Sequence, residues 1–352
     1  MKNLQDVLAK IEKLDGSLAA KTQKRLDNLT KPQGSLGKLE DLAKQIVEIT
    51  QNENPNLKNK VIFTFAGDHG VTQEGVSAFP QEVTTQMVYN FVSGGAAINV
   101  LARHVGARVV VADLGIASNL NTTPGVIIKK VKLGTKNMTH TPAMTREEAL
   151  TAIENGIIIF EQELKNGIDI IGTGEMGIGN TTPSSAIVSA ITGEKVSLVT
   201  GTGTGISEEA LSNKTKIIQK TLDRHKPNPQ DAIDVLSKVG GFEIGGLVGV
   251  ILAATANRIP VVLDGFISGA AALLAYTLEP KTKDYMIASH CSVEQGHKIS
   301  LDFIGLSPIL DLNFRLGEGT GAALSMTIIE ASVKILKEMA TFESAAVSEK
   351  LD

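Results

Sequence analysis

The feature that most constrains the fold is a set of six continuous apolar runs of strand length, at 61–66, 108–115, 168–175, 197–203, 260–266 and 285–290. A continuous apolar run, unlike an alternating one, reads as a strand covered on both faces. Between the runs lie stretches with apolar residues at helical spacing, at 81–105, 146–165, 183–191, 244–256 and 267–276. Strands alternating with helices predict an α/β fold, a parallel sheet with helices on both faces. Each run closes on small or polar residues: Gly67-Asp68-His69-Gly70, Asp113 with Gly115, Gly174-Glu175, Gly201 with Gly203, Asp264-Gly265, and Ser289-His290. Open α/β sheets bind ligands outside the carboxyl ends of their strands. The six ends should therefore converge on one cleft, and that convergence points to an enzyme.

The flanks read differently. Leu4, Val7, Leu8, Ile11 and Leu14 fall at helical spacing, and further helices are expected at 21–29, 38–50 and 322–339. The last has no strand after it, so it is expected to pack with the N-terminal helices. The chain then divides into a small helical domain, 1–55 with 325–352, and an α/β catalytic domain, 56–324. A net charge of −4 gives no basic surface and argues against nucleic acid as a partner. The single cysteine, Cys291, excludes an internal disulfide and a Cys/His zinc cluster. The N-terminus has no signal-peptide core, and no apolar run free of Gly, Pro and charge reaches ~18 residues. A soluble, cytoplasmic chain without membrane contact is expected.

Several stretches could carry chemistry. In Arg315-Leu-Gly-Glu318-Gly-Thr-Gly-Ala-Ala-Leu324 a lone carboxylate sits between glycines at the start of the last helix. Free N–H groups there favour anions, so Glu318 either interacts with the helix dipole or is placed to accept a proton. Gly172-Thr-Gly-Glu175-Met-Gly177-Ile-Gly179-Asn-Thr-Thr-Pro183 is a strand–turn–helix junction, suited to a phosphate or simply a tight turn. It is neither a P-loop nor a dinucleotide fingerprint. Thr200-Gly-Thr-Gly-Thr-Gly205 is a second glycine-rich loop, with Lys214 in the helix beyond, either solvated or facing a phosphate. The 261–269 stretch is similar to the pyrophosphoryl-ribose loop of ordinary phosphoribosyltransferases but has one acid, Asp264, where that loop has two. Asp68-His69 and Ser289-His290 lack a third ligand at metal-like spacing. Phe79, Val83 and Met87 form an apolar stripe after Pro80, directed to the core or to the cleft.

Together these stretches resemble one family, the nicotinate-nucleotide:dimethylbenzimidazole phosphoribosyltransferases of cobalamin nucleotide-loop assembly. The resemblance is carried by Lys31-Pro-Gln-Gly-Ser-Leu-Gly-Lys-Leu-Glu40, Asp68-His-Gly-Val71, Gly174 to Pro183, Asp234-Val-Leu-Ser-Lys-Val-Gly-Gly-Phe242, Leu263-Asp-Gly-Phe266 and Arg315 to Leu324. It implies a Rossmann-like parallel core, a small helical domain from both termini, and a homodimer. It implies transfer of ribose 5-phosphate from nicotinate mononucleotide to 5,6-dimethylbenzimidazole, with no cofactor and no metal. Glu318 maps onto the catalytic base, and Glu175 is the second candidate catalytic carboxylate. Glu175, Gly177, Gly203, Lys214, Ser292 and Arg315 map onto the mononucleotide site. Phe79, Val83, Met87 and Leu316 map onto the benzimidazole pocket, where some members carry polar residues in place of Phe79 and Met87. A nucleosidase that hydrolyses nicotinate mononucleotide and a non-catalytic nucleotide-binding protein are the alternatives.

Overall fold

Six strands form one parallel sheet in the order β3-β2-β1-β4-β5-β6. They are β1 Lys60–Gly67, β2 Ala107–Gly115, β3 Val126–Ile128, β4 Ile170–Met176, β5 Val261–Leu263 and β6 Met286–Ala288. The computed structural model describes residues 3–120 and 123–348. Residues 1–2 and 349–352, the outer ends of the expected helical domain, lie outside the described residues. The order 3-2-1-4-5-6 is that of a doubly wound sheet, whose connections reverse direction between β1 and β4.

Every residue of β1 is buried, because both faces are covered. Val61, Phe63 and Phe65 join a large core cluster on one side, while Ile62 and Ala66 join a second cluster on the other. The first face is covered by the helix Phe242–Ala256, buried along nearly its whole length, with Arg146–Leu164 beside it. The second face is covered by Thr320–Glu338, through Ala322, Ala323, Met326 and Ile329. This helix comes unusually close to β4. A Cβ on Gly172 would stand 3.0 Å from that of Ala322, and one on Gly174 would stand 2.3 Å from the carbonyl oxygen of Glu318. Two glycines of the expected phosphate turn are thus strand residues that let the Glu318 turn cross the sheet.

The segment 197–203 is not a strand. Val196 and Val199 point inward while Ser197 and Leu198 are exposed, a helical spacing, and Val196–Val199 forms a short helix. The Thr200 hydroxyl donates to the Val196 carbonyl at 2.7 Å and closes it. The sixth strand is instead β3, three half-buried residues at the sheet edge. The expected helix at 81–105 is two, Val83–Ser93 and Ala97–Val105, separated where Gly94 turns left-handed at φ 78°. Glu208–His225, Ala232–Val239 and Gln295–Ile304 are further helices.

Leu26, Leu29, Ala43, Val47 and Leu336 make a separate small cluster, uniting N-terminal helices with the end of the last helix. Arg25 Nε donates to the Leu336 carbonyl at 3.1 Å there. Leu4, Val7 and Ile11 belong instead to the large cluster. The loop at 31–37 is pinned by a buried ion pair, Lys31 Nζ to Glu40 Oε1 at 2.7 Å, and by the Leu36 N–H on the same oxygen at 3.0 Å.

Candidate active site

A cavity of ≈ 760 Å3 opens beyond the carboxyl ends of β4, β5 and β6, lined there by Glu175, Met176, Gly265 and His290. The end of β1 lies beneath it rather than in it. His69 is fully buried, its Nε2 2.8 Å from Glu243 Oε1, and the carboxylate of Glu243 raises its pKa against the effect of burial. The Asp68-His69 pair therefore supports the Gly177 turn from below. A Cβ on Gly177 would come within 2.5 Å of the Gly67 carbonyl.

Glu318 enters the cavity on a turn of three consecutive left-handed residues, Gly317, Glu318 and Gly319, at φ 86°, 65° and 100°. Left-handed backbone costs a non-glycine residue ~1–2 kcal/mol, so the surrounding structure must hold it. The Thr64 hydroxyl donates to the Glu318 carbonyl at 3.0 Å, and the Ile98 N–H donates to Oε2 at 3.1 Å. Burial pushes the Glu318 carboxyl above the usual glutamate value, opposed by the Ile98 N–H. The acceptor at the start of helix Thr320–Glu338 is a protein side chain: Asp264 Oδ2 accepts from Gly319 N–H at 3.0 Å, and burial pushes its carboxyl up to about 7 against the backbone N–H donors. Its Oδ1 accepts from Gly321 at 2.7 Å and Ala322 at 3.1 Å. Asp264 is thus occupied with the backbone.

Glu175, at the end of β4, faces the same cavity and accepts a hydrogen bond from the Asn180 amide. Burial pushes its carboxyl up to about 8, against the Asn180 donor and with help from Asp264, Glu243 and Glu318. That shift favours the protonated form at neutral pH.

The two glycine-rich loops meet across the cavity. Gly177, Gly203, Ser292 and Arg315 all line it, and Arg315 Nη1 donates to the Gly203 carbonyl at 3.4 Å. Lys214 is not a surface lysine. It is fully buried behind the loop, its Nζ donating to Thr181 Oγ1 at 2.8 Å and the Gly201 carbonyl at 3.3 Å. Burial pulls its pKa down to about 8, opposed by Glu294. It does not line the cavity, though its Nζ would be 3.2 Å from a Cβ on Gly203. Glu294 lines the cavity, with Oε1 accepting from Gly203 N–H at 2.8 Å and Oε2 buried without a protein partner.

Phe79, Val83, Met87 and Leu316 line the same cavity with Ala97 and Leu101. Phe79 and Leu316 are not core residues, being 53% and 59% exposed, whereas Met87 and Leu101 also pack against the second core cluster. The backbone N–H of Ala78 donates to Thr204 Oγ1 at 3.0 Å, joining the Phe79 segment to the second glycine-rich loop.

The phosphoribosyltransferase family model matches residues 11–347. A curated relative from Geobacter sulfurreducens, named nicotinate-nucleotide–dimethylbenzimidazole phosphoribosyltransferase, is 59% identical over 346 residues, covering 98% of each chain. One of the same name from Roseiflexus is 54% identical over 352 residues, covering 100% of both.

The chain belongs to this family.

The solved structure of the Thermus thermophilus enzyme of that name superposes with a TM-score of 0.91 at 40% identity, covering 96% of this chain and 100% of that one. Within the family frame, sequence reasoning missed Asn180, Glu294 and the holding role of Asp264. Asn180 lies inside the 172–183 glycine-rich motif, whose spacing marks only a turn. Glu294 had no signal, because it reaches Gly203 from 91 residues away. The Gly94-Gly95 pair could have revealed the break that delivers Ala97, Leu101 and the Ile98 N–H to the site.

Proposed function

We propose that this chain transfers ribose 5-phosphate from nicotinate mononucleotide to 5,6-dimethylbenzimidazole, giving α-ribazole 5′-phosphate and nicotinate with inversion at the anomeric carbon. The observation that carries this reading is the cavity itself. Two buried carboxyl groups, Glu318 and Glu175, share it with a set of apolar side chains and two glycine-rich loops.

In the donor, the ring nitrogen bonded to ribose is formally cationic. Breaking that bond returns its electron pair to a neutral pyridine, so the leaving group needs no acid. One benzimidazole nitrogen attacks the anomeric carbon from the opposite face, and the proton on the other nitrogen must leave. We assign that proton to Glu318. Burial pushes Glu175 up to about 8, which favours its protonated form at neutral pH, whereas at Glu318 the Ile98 N–H opposes the rise and favours the charged form. Gly177, Gly203, Ser292 and Arg315 are assigned to the mononucleotide, with Lys214 acting on its phosphate through charge from behind the loop. Phe79, Val83, Met87 and Leu316 are assigned to the flat base. Holding both substrates in line supplies much of the remaining acceleration.

The strand order supports a Rossmann-like reading of the core. The Leu26–Leu336 cluster supports a helical unit drawn from 1–55 and 325–352 against 56–324. A homodimer in the cytoplasm is proposed on the family resemblance. Among the described residues, no helix is long and apolar enough to cross a membrane. The test of the reaction is NMR of the product formed from both substrates. An α-linked anomeric signal is expected, and a β-linked product or none refutes the assignment.

A further inference from the structure

Resting on the reading of Glu318 as base, we propose that Asp264 and Thr64 are positioning residues that hold the Glu318 turn in its strained, proton-accepting geometry. The turn is gripped at three points. The Glu318 carbonyl accepts from Thr64 in the middle of β1 at 3.0 Å, and the N–H of the next residue, Gly319, donates to Asp264 Oδ2 at 3.0 Å. The third grip, Ile98 N–H on Glu318 Oε2 at 3.1 Å, fixes the carboxylate itself.

These holds are rigid because their owners are. Thr64 and Asp264 are buried, Thr64 in a strand paired on both sides, Asp264 directly after β5 with its own N–H donating to Thr173 Oγ1 at 3.1 Å. The two oxygens of Asp264 do different work. Oδ1 takes Gly321 and Ala322 and caps the helix, whereas Oδ2 takes Gly319, beside the base. Gly174 provides the space, since any side chain there would strike the Glu318 carbonyl. A left-handed glutamate relaxes when such holds are removed, and displacement of a reacting group by ~1 Å lowers rates ~100-fold.

Asp264→Asn separates the two tasks. Its oxygen can still cap Gly321 and Ala322, but its NH2 meets the Gly319 N–H donor to donor. Thr64→Val keeps shape and favours the strand, and removes only the hold on the Glu318 carbonyl. Both variants are expected to keep the melting temperature within a few degrees and the KM for nicotinate mononucleotide within about twofold. The kcat is expected to fall by ~10-fold or more in each. The acid limb of kcat should also move to higher pH, because a displaced Glu318 loses the Ile98 N–H that favours its charged form. Wild-type kcat in both variants, alongside an inactive Glu318→Gln, overturns the positioning role and leaves the base standing. An active Glu318→Gln overturns the base itself. Unfolding of Asp264→Asn with normal kcat in Thr64→Val also refutes the proposal, since Asp264 would then serve the helix alone.

Discussion

Glu318→Gln exchanges one carboxylate oxygen for an amide in the cavity. The amide oxygen can still accept the Ile98 N–H now held at 3.1 Å by Oε2, so the turn keeps this contact. What disappears is the capacity to take the benzimidazole proton. A positioned general base contributes ~10²–10⁴-fold, or ~3–5 kcal/mol of barrier at 1.36 kcal/mol per tenfold. The donor KM should hardly change, because the mononucleotide is assigned to Gly177, Gly203, Ser292, Arg315 and Lys214. Stability supplies an internal control. The folded state raises the Glu318 pKa by burial, so the wild type loses stability as that carboxyl ionises with rising pH, while the variant does not. Glu318→Gln should therefore be at least as stable at neutral pH. The assay is chromatographic initial rates with both substrates varied, alongside thermal unfolding. Near-normal turnover in Glu318→Gln with a dead Glu175→Gln would refute the assignment.

Other consequences are as direct. The kcat should fall with falling pH along a limb lying above the ordinary glutamate value of 4.5, because Glu318 must be ionised to act and burial raises its pKa; a pH–rate profile in the wild type reads it. Burial pushes Glu175 up to about 8 when folded from the ordinary 4.5, so Glu175→Gln should gain stability over wild type as pH rises through that window, on the order of 3 kcal/mol by neutral pH in denaturant titrations. Unsubstituted benzimidazole should be accepted, with each missing methyl lowering kcat/KM by ~1–3 kcal/mol; strict refusal at saturating concentration would show a pocket built otherwise. Phe79→Ala should raise the acceptor KM ~10-fold and leave the donor KM alone, since Phe79 lines the cavity half-exposed and is assigned to the base.

The fold was legible where the sequence signal was periodic. β1, β2 and β4 are long buried runs in a parallel sheet, and their apolar continuity follows from covering on both faces. The 197–203 run failed because four apolar or small residues cannot be told from one helical turn by composition, and only the outward Leu198 distinguishes them. At the site, Glu318 was visible because only glycines flank it. The rest of its support was not visible. Thr64 and Ile98 are 254 and 220 residues from Glu318 in the chain and hold it through one hydrogen bond each, and Asp264 holds the neighbouring Gly319, Gly321 and Ala322 from 55–58 residues away. Burial of Lys214 was equally hidden, because a lysine in an amphipathic helix carries no mark of what covers it.

The central claim is direct transfer from one bound substrate to another. It is tested by measuring nicotinate and α-ribazole 5′-phosphate release side by side while dimethylbenzimidazole is raised from zero. The account predicts no nicotinate without acceptor and equal rates of the two products at every concentration. Nicotinate released in its absence, or in excess over ribazole phosphate, would mean that water takes the ribose and that the chain is a nucleosidase.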